Sequence, residues 1–374
     1  ELGQQTPSVL LNRRQDNFPN VVIRGVGSFG NVQGVGFYVD EVQNFTDQTM
    51  RLQDLERVEI LKGPQGTLYG GSNIGGAVRY VSRVPTFDFN GEIRAEIGQR
   101  NYRDLFGAIN VPVSEKAAFR VSGYHTQDDG FVENSVTGNP IQDFREYGVR
   151  GQLLLEPTPE LRSLTTIRYR DYKGGTNTYT RQSDPSDVAY INTSSFDSEA
   201  TRETIAIVEN LTYDFGGAEL TSITSYTHQD QTWFIDADYN PPNIVVARFD
   251  DARPAKIFTQ ELRLASQGTS NWDWLFGIYG SRIDNHVPVP TPVILDVGPI
   301  TIDPRADVKT RQDDIAAFGT VNFYINNFTL GGGLRVGQTD YGSKIFVASG
   351  IPKIPTLELD QKDTVVLPKV SLSY

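Results

Sequence analysis

ERVEILKGPQGTLYGGSNIGGAVRYVSRVP, residues 56–85, is the stretch that decides how this chain is organised. It begins with a strand pattern at residues 58–61, passes through six glycines and ends with a second strand pattern at residues 77–81. Glycines between two strands allow close backbone approach and positive φ angles. A phosphate-binding loop would need a Lys-Ser/Thr pair after its glycines. Here Lys62 precedes them, so the stretch does not indicate a nucleotide site.

The same stretch resembles the plug signature of TonB-dependent outer-membrane transporters. The blocks that carry the resemblance are RVEILKGPQGTLYG and IGGAVRYVSRVP, with VIRG at residues 22–25 and FYVD at residues 37–40. The resemblance implies a small α/β plug domain inside the lumen of an antiparallel β-barrel of about 22 strands. One departure is Lys62, where the family usually has an Arg that joins the plug to the barrel. Lys lacks the planar guanidinium that pairs with a carboxylate through two bonds.

Composition narrows the classes of function. The 374 residues include no Cys, one Met and three His, so thiolate chemistry, a disulfide framework and a Cys-rich zinc site are excluded. The 17 Tyr and 20 Phe suit strands with aromatic girdles. A net charge of -12 disfavours a nucleic-acid partner. No apolar run approaches the roughly 18 residues of a membrane helix, so we predict that strands make any membrane crossing.

Beyond residue 85 the sequence alternates apolar and polar residues, which predicts a series of β-strands. In residues 144–156, for example, Tyr147, Val149 and Leu153 fall on one face and Arg150 and Gln152 on the other, which suits lipid outside and a polar lumen inside. We therefore assign residues 1–85 to the plug and residues 86–374 to a transmembrane β-barrel. The predicted strands are 90–99, 102–113, 117–129, 144–156, 161–173, 199–215, 218–234, 254–267, 272–286, 309–325, 328–341 and 363–374. In the plug, residues 50–55 are the best helix candidate, with Asp47 or Thr49 as its N-cap.

The lengths of the connections favour a membrane barrel over a soluble sandwich. After the first hairpin, short links alternate with long ones, so tight turns gather at one end of the sheet and long loops at the other. About twelve strands are about half of the family's number, and a half-sheet would leave unpaired edges. We expect further strands after Tyr374. In the family's register Glu1 falls inside the plug, so we also expect earlier residues, including the energy-coupling segment.

The motif QELRL, residues 260–264, resembles a recurrent barrel strand of the family. Its alternation turns Glu261 and Arg263 into the lumen, where a carboxylate would pair with cations of the plug. We predict a lock between plug and barrel that loosens before ligand passes; an ordinary ion pair that only holds the plug is the alternative. The predicted lock residues are Arg57, Lys62, Arg79, Arg83, Glu261 and Arg263.

By resemblance, the ligand contacts plug loops and the barrel wall above them. Aromatic side chains supply flat apolar contact, and Arg donates charge-assisted hydrogen bonds to carboxylate or chelate oxygens. A structural role in the plug is the alternative for each residue. The predicted ligand-binding residues are Arg24, Phe29, Phe45, Tyr69, Ser72 and Asn73.

Acidic residues in the predicted long loops, at 184–187, 236–238 and 250–251, could hold Ca²⁺, although a solvated acidic loop is the simpler interpretation. The three His lack a partner pattern, and neither a Gly-x-Ser-x-Gly elbow nor an HExxH motif is present. Paired carboxylates for glycoside hydrolysis stay open, but nothing singles them out. We predict no catalysis, no cofactor and no resident metal.

These features predict a TonB-dependent transporter in the outer membrane of a Gram-negative bacterium. By resemblance it imports a scarce nutrient, with a ferric siderophore as the first expectation and cobalamin, haem or oligosaccharide as alternatives. Its partners would be outer-membrane lipid, the ferric chelate, and TonB with its inner-membrane complex. A passive porin would share the barrel without needing the plug signature. A soluble β-rich glycan-binding protein would share the strands without the alternation of link lengths.

Overall fold

The computed structural model describes residues 6–13, 19–27, 34–45, 53–63, 75–176, 191–236, 248–252, 254–268, 271–287, 295–297, 300–302, 305–348 and 356–374. This part of the chain consists of strands, turns and irregular segments. It contains no helix with the length and apolar character needed to cross a membrane. The predicted helix at residues 50–55 is wrong over its described half, because residues 53 and 54 are not helical and Leu55 is the first residue of a strand. Residues 50–52 lie outside the described part of the chain.

The plug begins with a two-stranded hairpin and continues in a four-stranded sheet of order β4-β3-β6-β5. Strands β3 and β6 are parallel, whereas the other neighbours are antiparallel. The six strands are β1 (Val9–Arg13), β2 (Pro19–Ile23), β3 (Val35–Val39), β4 (Val42–Gln43), β5 (Leu55–Lys62) and β6 (Gly76–Ser82).

An apolar core holds the plug together. Its fully buried members come from β1, β2, β3 and β6, and Val58, Ile60 and Tyr80 pack against them. Gly76 shows why the signature needs glycine at the start of β6. Its φ is 142°, and a Cβ there would lie 2.2 Å from the carbonyl oxygen of Leu61 on the neighbouring strand. Any side chain would therefore push β5 and β6 apart.

The barrel wall is one continuous antiparallel sheet of twelve main strands, which confirms the predicted fold class. Strands β7 and β23 form its two open edges. The main strands are β7 (Asn90–Ile97), β8 (Arg103–Ser114), β9 (Ala117–Asp128), β11 (Phe144–Thr158), β12 (Leu161–Gly175), β14 (Glu199–Asp214), β15 (Ala218–Asp236), β17 (Ala255–Ser266), β18 (Trp272–Val287), β21 (Arg305–Ile325), β22 (Phe328–Ala348) and β23 (Leu357–Ser373).

Among the described residues, five short strands lie at the end of the sheet that carries the long links. Strand β16 pairs with β15, and a parallel β10–β13 pair joins two of the long links. There Asp197 accepts hydrogen bonds from Asn134 and Asn139 at 2.9 and 2.7 Å. The short strands are β10 (Glu133–Asn134), β13 (Ile191–Asn192), β16 (Arg248–Ala252), β19 (Leu295–Val297) and β20 (Ile300–Ile302).

The two faces of the wall have opposite character. Along β11, Tyr147, Val149 and Leu153 are exposed on the outer face, whereas Glu146 and Arg150 are buried on the inner face. Strands with an apolar outer face and a polar inner face are typical of transmembrane barrels. The alternation read from the sequence therefore assigns the faces correctly.

Aromatic side chains cluster beside the short turns. Trp272 stacks on Phe323 of the adjacent strand with ring centroids 6.3 Å apart, and Tyr213 meets Phe215 edge-on at 4.7 Å. All four are exposed or half-exposed next to a tight turn. Such a belt is the aromatic girdle expected where a barrel meets the membrane interface.

Several strands extend further than predicted at the end with the long links. Strand β22 continues to Ala348 instead of residue 341, and β23 begins at Leu357 instead of residue 363. The extensions hold charged residues on neighbouring strands, such as Lys344 and Glu358 at 3.0 Å. Hydrogen bonding between the strands continues there beyond the apolar alternation. Hydropathy therefore predicts strands that are too short at this end.

Candidate functional site

Three plug carboxylates that face the wall lie on unusual backbone. Asp40 and Glu41 form the two-residue turn between β3 and β4, with φ angles of 51° and 73°, and Asp54 before β5 has φ 60°. Positive φ is uncommon outside glycine, although Asp tolerates it better than Glu. Turns of this kind favour Asn-Gly or Asp-Gly. Strained backbone is concentrated at functional sites, which directs attention to this face of the plug.

Asp54 lies at the centre of the most buried ion pairs between plug and wall, here called the Asp54 cluster (Asp54, Arg120, Arg150 and Ser82). Arg120 on β9 donates from Nε to Asp54 at 2.8 Å and from Nη2 to the second carboxylate oxygen. Arg150 on β11 places Nη2 3.0 Å from Asp54 and donates to the Ser82 hydroxyl at 2.6 Å. The Asp54 side chain is 0 % exposed.

The cluster keeps Asp54 ionised. Burial alone would raise the pKa of its carboxyl, but the hydrogen bond from Arg120 and the positive charges of Arg150 and Arg120 outweigh burial and lower the pKa. Ser82 extends the cluster by donating its backbone N–H and its hydroxyl to Asp40 at 2.8 and 2.9 Å.

A second set of contacts, here called the Glu41 network, joins the plug to strand β17. Arg79 of β6 lies between Glu59 at 2.8 Å and Glu41 at 3.3 Å. Glu41 in turn contacts Arg263, whose Nε is 3.1 Å from Glu261 on the same barrel strand. The charges alternate along these five residues, and each side chain is partly exposed, between 11 and 30 %.

A cavity of about 70 Å³ lies between the plug and the wall. The plug contributes Val39, residues 42–45 and Gln53, and the wall contributes residues from β9, β11, β12, β14, β15 and β17. Arg150, Arg168 and Arg170 line it together. Most of its lining surface is apolar, but the three arginines make it positively charged. It is too small for a siderophore-sized ligand.

The structure locates two of the six predicted ligand-binding residues. Phe45 is half-buried and lines the cavity. Arg24 is exposed at a tight turn, where its backbone N–H donates to Ser8 at 3.0 Å. The structure does not bring Arg24 and Phe45 together in the cavity lining. The other four fall outside the described residues: Phe29, Tyr69, Ser72 and Asn73.

The predicted lock residues divide into two groups. Arg79, Glu261 and Arg263 lie in the Glu41 network, and Arg83 reaches Glu92 on the first wall strand at 3.0 Å. The remaining two stay within the plug. Arg57 contacts Glu56 and Glu59 in an exposed position, and Lys62 donates to the carbonyl of Pro7 at 2.9 Å.

The expected pairing of a barrel carboxylate with a plug cation describes Arg83 and Glu92, but not the more buried contacts. Glu261 pairs with Arg263 of its own strand, and Arg263 reaches the plug through the carboxylate Glu41. In the Asp54 cluster the plug again supplies the carboxylate and the wall supplies the guanidinium groups. The signs of the charges are therefore the reverse of those expected: the wall carries the cations and the plug the anions. Arginines occupy inward positions of β9 and β11 as well as β17.

Sequence reasoning missed Asp54, Arg120 and Glu41. The alternation of β11 already placed Arg150 on the lumen face, and the same alternation in AAFRVSG would have placed Arg120 there. An inward-facing arginine needs a buried anion, which would have directed the search to plug carboxylates. Nothing local distinguishes Asp54 from the other acidic residues of the plug.

The proposed Ca²⁺ residues stay a prediction. Residues 184–187 and 237–238 lie outside the described part of the chain, and the structure describes only the backbone at Asp236, Asp250 and Asp251. Among the described residues, no group of three or more acidic or His side chains is arranged to hold a metal ion.

Comparison with known proteins gives two family-model matches. Residues 1–77 match the TonB-dependent receptor plug domain. Residues 174–374, more than half of the chain, match the TonB dependent receptor-like β-barrel.

Individual relatives cover shorter stretches. A pesticin receptor of Yersinia pestis is 34 % identical over 127 residues, 33 % of this chain and 19 % of the relative. A ferrioxamine B receptor of Salmonella typhimurium is 29 % identical over 180 residues, 46 % of this chain and 25 % of the relative. These alignments therefore span a quarter or less of the curated relatives.

The fold is that of a solved receptor. The crystal structure of the ferric yersiniabactin uptake receptor FyuA from Yersinia pestis superposes with a TM-score of 0.85 at 21 % identity. The superposition covers 99 % of this chain and 58 % of the FyuA chain. Both the plug sheet and the twelve-stranded wall thus match the corresponding part of a larger receptor.

Proposed function

Because the chain belongs to the TonB-dependent receptor family, we propose that it takes up a ferric siderophore across the outer membrane of a Gram-negative bacterium. The observation that carries the proposal is the plug sheet held against the inner face of the wall by the Asp54 cluster. One relative is named as a ferrioxamine B receptor, which supports an iron chelate as cargo.

The proposed transporter binds its cargo outside the cell and admits it by moving the plug. The Asp54 cluster and the Glu41 network would keep the lumen closed until TonB, driven through its inner-membrane complex, pulls on the plug. Both must loosen for cargo to pass, because each joins a plug turn to a fixed strand of the wall. No covalent change of the cargo is required.

In the proposed receptor, the two edge strands of the wall need partners to form a barrel. Strands β7 and β23 are unpaired edges, and Ile93 and Val370 on them are 90 % and 83 % exposed. Unpaired strand edges are unfavourable in a bilayer because the backbone groups have no water to bind. We assign residues 1–85 to the plug and residues 86–374 to part of the barrel.

The proposed ligand site lies on the plug surface around Phe45, with Arg24, Phe29, Tyr69, Ser72 and Asn73 as further candidates. Phe45 borders the positively charged cavity, so it lies at the meeting point of plug and wall. An aromatic ring there offers flat contact to a chelate.

Uptake of radioactive iron by cells that express the full-length receptor tests the proposal. We expect saturable uptake from at least one chelate in a panel that includes ferrioxamine B and a catecholate, and loss of uptake when the receptor or TonB is deleted. Uptake of cobalamin or haem with no ferric chelate transported would overturn the cargo assignment. TonB-independent diffusion of small solutes would indicate a porin instead.

Single substitutions then test the ligand site. Phe45→Ala should raise the chelate concentration for half-maximal uptake about tenfold, the loss expected for one buried aromatic contact of about 1.4 kcal/mol. Phe258→Ala is the matched control, because Phe258 is exposed on the outer face of β17. Equal effects of the two substitutions would remove Phe45 from the site.

A further inference from the structure

Two arginines stand directly opposite each other on the inner face of the wall. Arg150 of β11 is paired in register with Arg168 of β12. Like charges directly opposite on neighbouring strands destabilise the pair unless other charges compensate. Asp54, 3.0 Å from Arg150, supplies that compensation on one side.

Arg168 has no comparable partner among the described residues. Its Nη1 is buried and has no hydrogen-bond partner in this part of the protein. The nearest carboxylate oxygen is Oδ2 of Asp40 at 4.0 Å. That carboxylate already accepts two hydrogen bonds from Ser82. Arg168 is therefore a largely buried cation whose charge is only partly balanced.

The other acidic groups around it are already occupied. Glu146 receives two hydrogen bonds from Arg170 at 2.9 and 3.1 Å, and a third from the Tyr124 hydroxyl. Asp54 is shared between Arg120 and Arg150. Among the described residues, four guanidinium groups form ion pairs with three carboxylates: Arg120, Arg150, Arg168 and Arg170 with Asp40, Asp54 and Glu146. Within this described set, one positive charge is in excess.

The cavity of about 70 Å³ offers room beside this excess charge. Arg150, Arg168 and Arg170 line it, together with the polar side chains of Gln43 and Ser122. One water needs a cavity of about 10–15 Å³, so the space fits an ion with part of its hydration shell. A buried cation is expensive without a counter-charge, whereas an anion that accepts charge-assisted hydrogen bonds restores the balance.

We propose that this cavity binds a small inorganic anion of the halide class at Arg168. The anion would reduce the repulsion between Arg150 and Arg168 and share the arginine with Asp40. Because the plug contributes Asp40 and the cavity wall at residues 42–45, the bound anion would link plug and barrel. This site is independent of the identity of the imported cargo.

Bromide is the probe for a direct test. Crystals of the full-length receptor, grown with bromide in place of chloride, should give an anomalous peak within hydrogen-bond distance of Arg168. Arg168→Gln should lose the peak, whereas Arg162→Gln, on an exposed arginine of the same strand, should keep it. Ordered water alone in the cavity, or bromide only at exposed arginines, would overturn the proposal.

A solution measurement covers the case in which Arg168→Gln does not fold. The unfolding temperature of the full-length receptor in detergent is measured in chloride and in gluconate at equal ionic strength. We expect it to be higher in chloride than in gluconate. Arg168→Lys keeps the positive charge and should retain part of the difference. An unfolding temperature that does not depend on the anion in the unsubstituted receptor would also refute the site.

Discussion

The plug is attached to the wall in two places, and the attachments differ in burial and directness. In the Asp54 cluster one carboxylate meets two guanidinium groups from neighbouring strands, and its side chain is 0 % exposed. In the Glu41 network five charges alternate, and the side chain of Glu41 itself is 30 % exposed. The first attachment is a buried cluster of ion pairs, whereas the second is a partly exposed series of charges.

This difference indicates a division of roles. Breaking a buried ion pair leaves an uncompensated charge away from water, whereas a partly exposed pair is weakened by solvent and salt. The Asp54 cluster should therefore set how firmly the plug is held, and the Glu41 network should tune that hold. Removing single charges from each attachment tests this division.

Substitution of Asp54 should have the largest effect. Asp54→Asn leaves Arg120 and Arg150 buried without their anion, and we expect the plug to lose about 3–5 kcal/mol of local stability. Hydrogen exchange of the β3 and β6 amides in the full-length receptor measures this free energy of opening. Glu56→Gln is the matched control, since Glu56 is an exposed plug carboxylate. A loss no greater than that of the control would contradict the division.

Acid should open the same attachment. The pKa of Asp54 is lower in the folded protein than its ordinary value of 3.8. Its contribution is therefore complete above the ordinary value and is lost as the pH falls through the lowered pKa. Plug opening in the full-length receptor should rise below about pH 4. Asp54→Asn should remove this part of the acid response, and an identical response in both proteins would assign it to other carboxylates.

Glu41 should give a smaller effect that depends on salt. Glu41→Gln removes the central anion of the network, and we expect a loss of about 1 kcal/mol at low salt that shrinks as ionic strength rises. Glu41→Gly removes the same charge but suits the φ of 73°. We therefore expect the glycine variant to exceed the glutamine variant in stability by about 1 kcal/mol. Equal stability of the two variants would mean that the turn is unstrained.

The sequence predicts the strands of the wall far better than the contacts between the wall and the plug. Two-residue alternation locates all twelve main strands and gives the correct faces of β11, because burial of an apolar face repeats regularly along a strand. It misses the ends of β22 and β23, where backbone pairing continues without that pattern. The contact between Asp54 and Arg120 joins residues 66 positions apart. No local pattern encodes which inward arginine meets which plug acid.

The resemblance located the Glu41 network only in part. It directed attention to Arg79, Glu261 and Arg263, which do lie together, but it expected a barrel carboxylate to meet the plug. The intervening anion is Glu41, at a turn position where sequence preferences favour glycine. A charged residue at a turn position that favours glycine indicates that its side chain has a role outside the turn, such as an ion pair with the wall.

Substitution of Arg57 should have the smallest effect, because Arg57 belongs to neither attachment. It was predicted with the lock residues, yet its guanidinium is half-exposed and contacts only Glu56 and Glu59 of its own strand among the described residues. Exposed pairs on one strand contribute little because water solvates both partners. Arg57→Gln should therefore leave plug opening and iron uptake in the full-length receptor unchanged, with Arg79→Gln measured beside it as the network residue. A loss of uptake with normal plug stability would instead indicate that Arg57 contacts another protein, such as TonB. The described contacts of Arg57 do not stabilise the fold enough to explain such a loss.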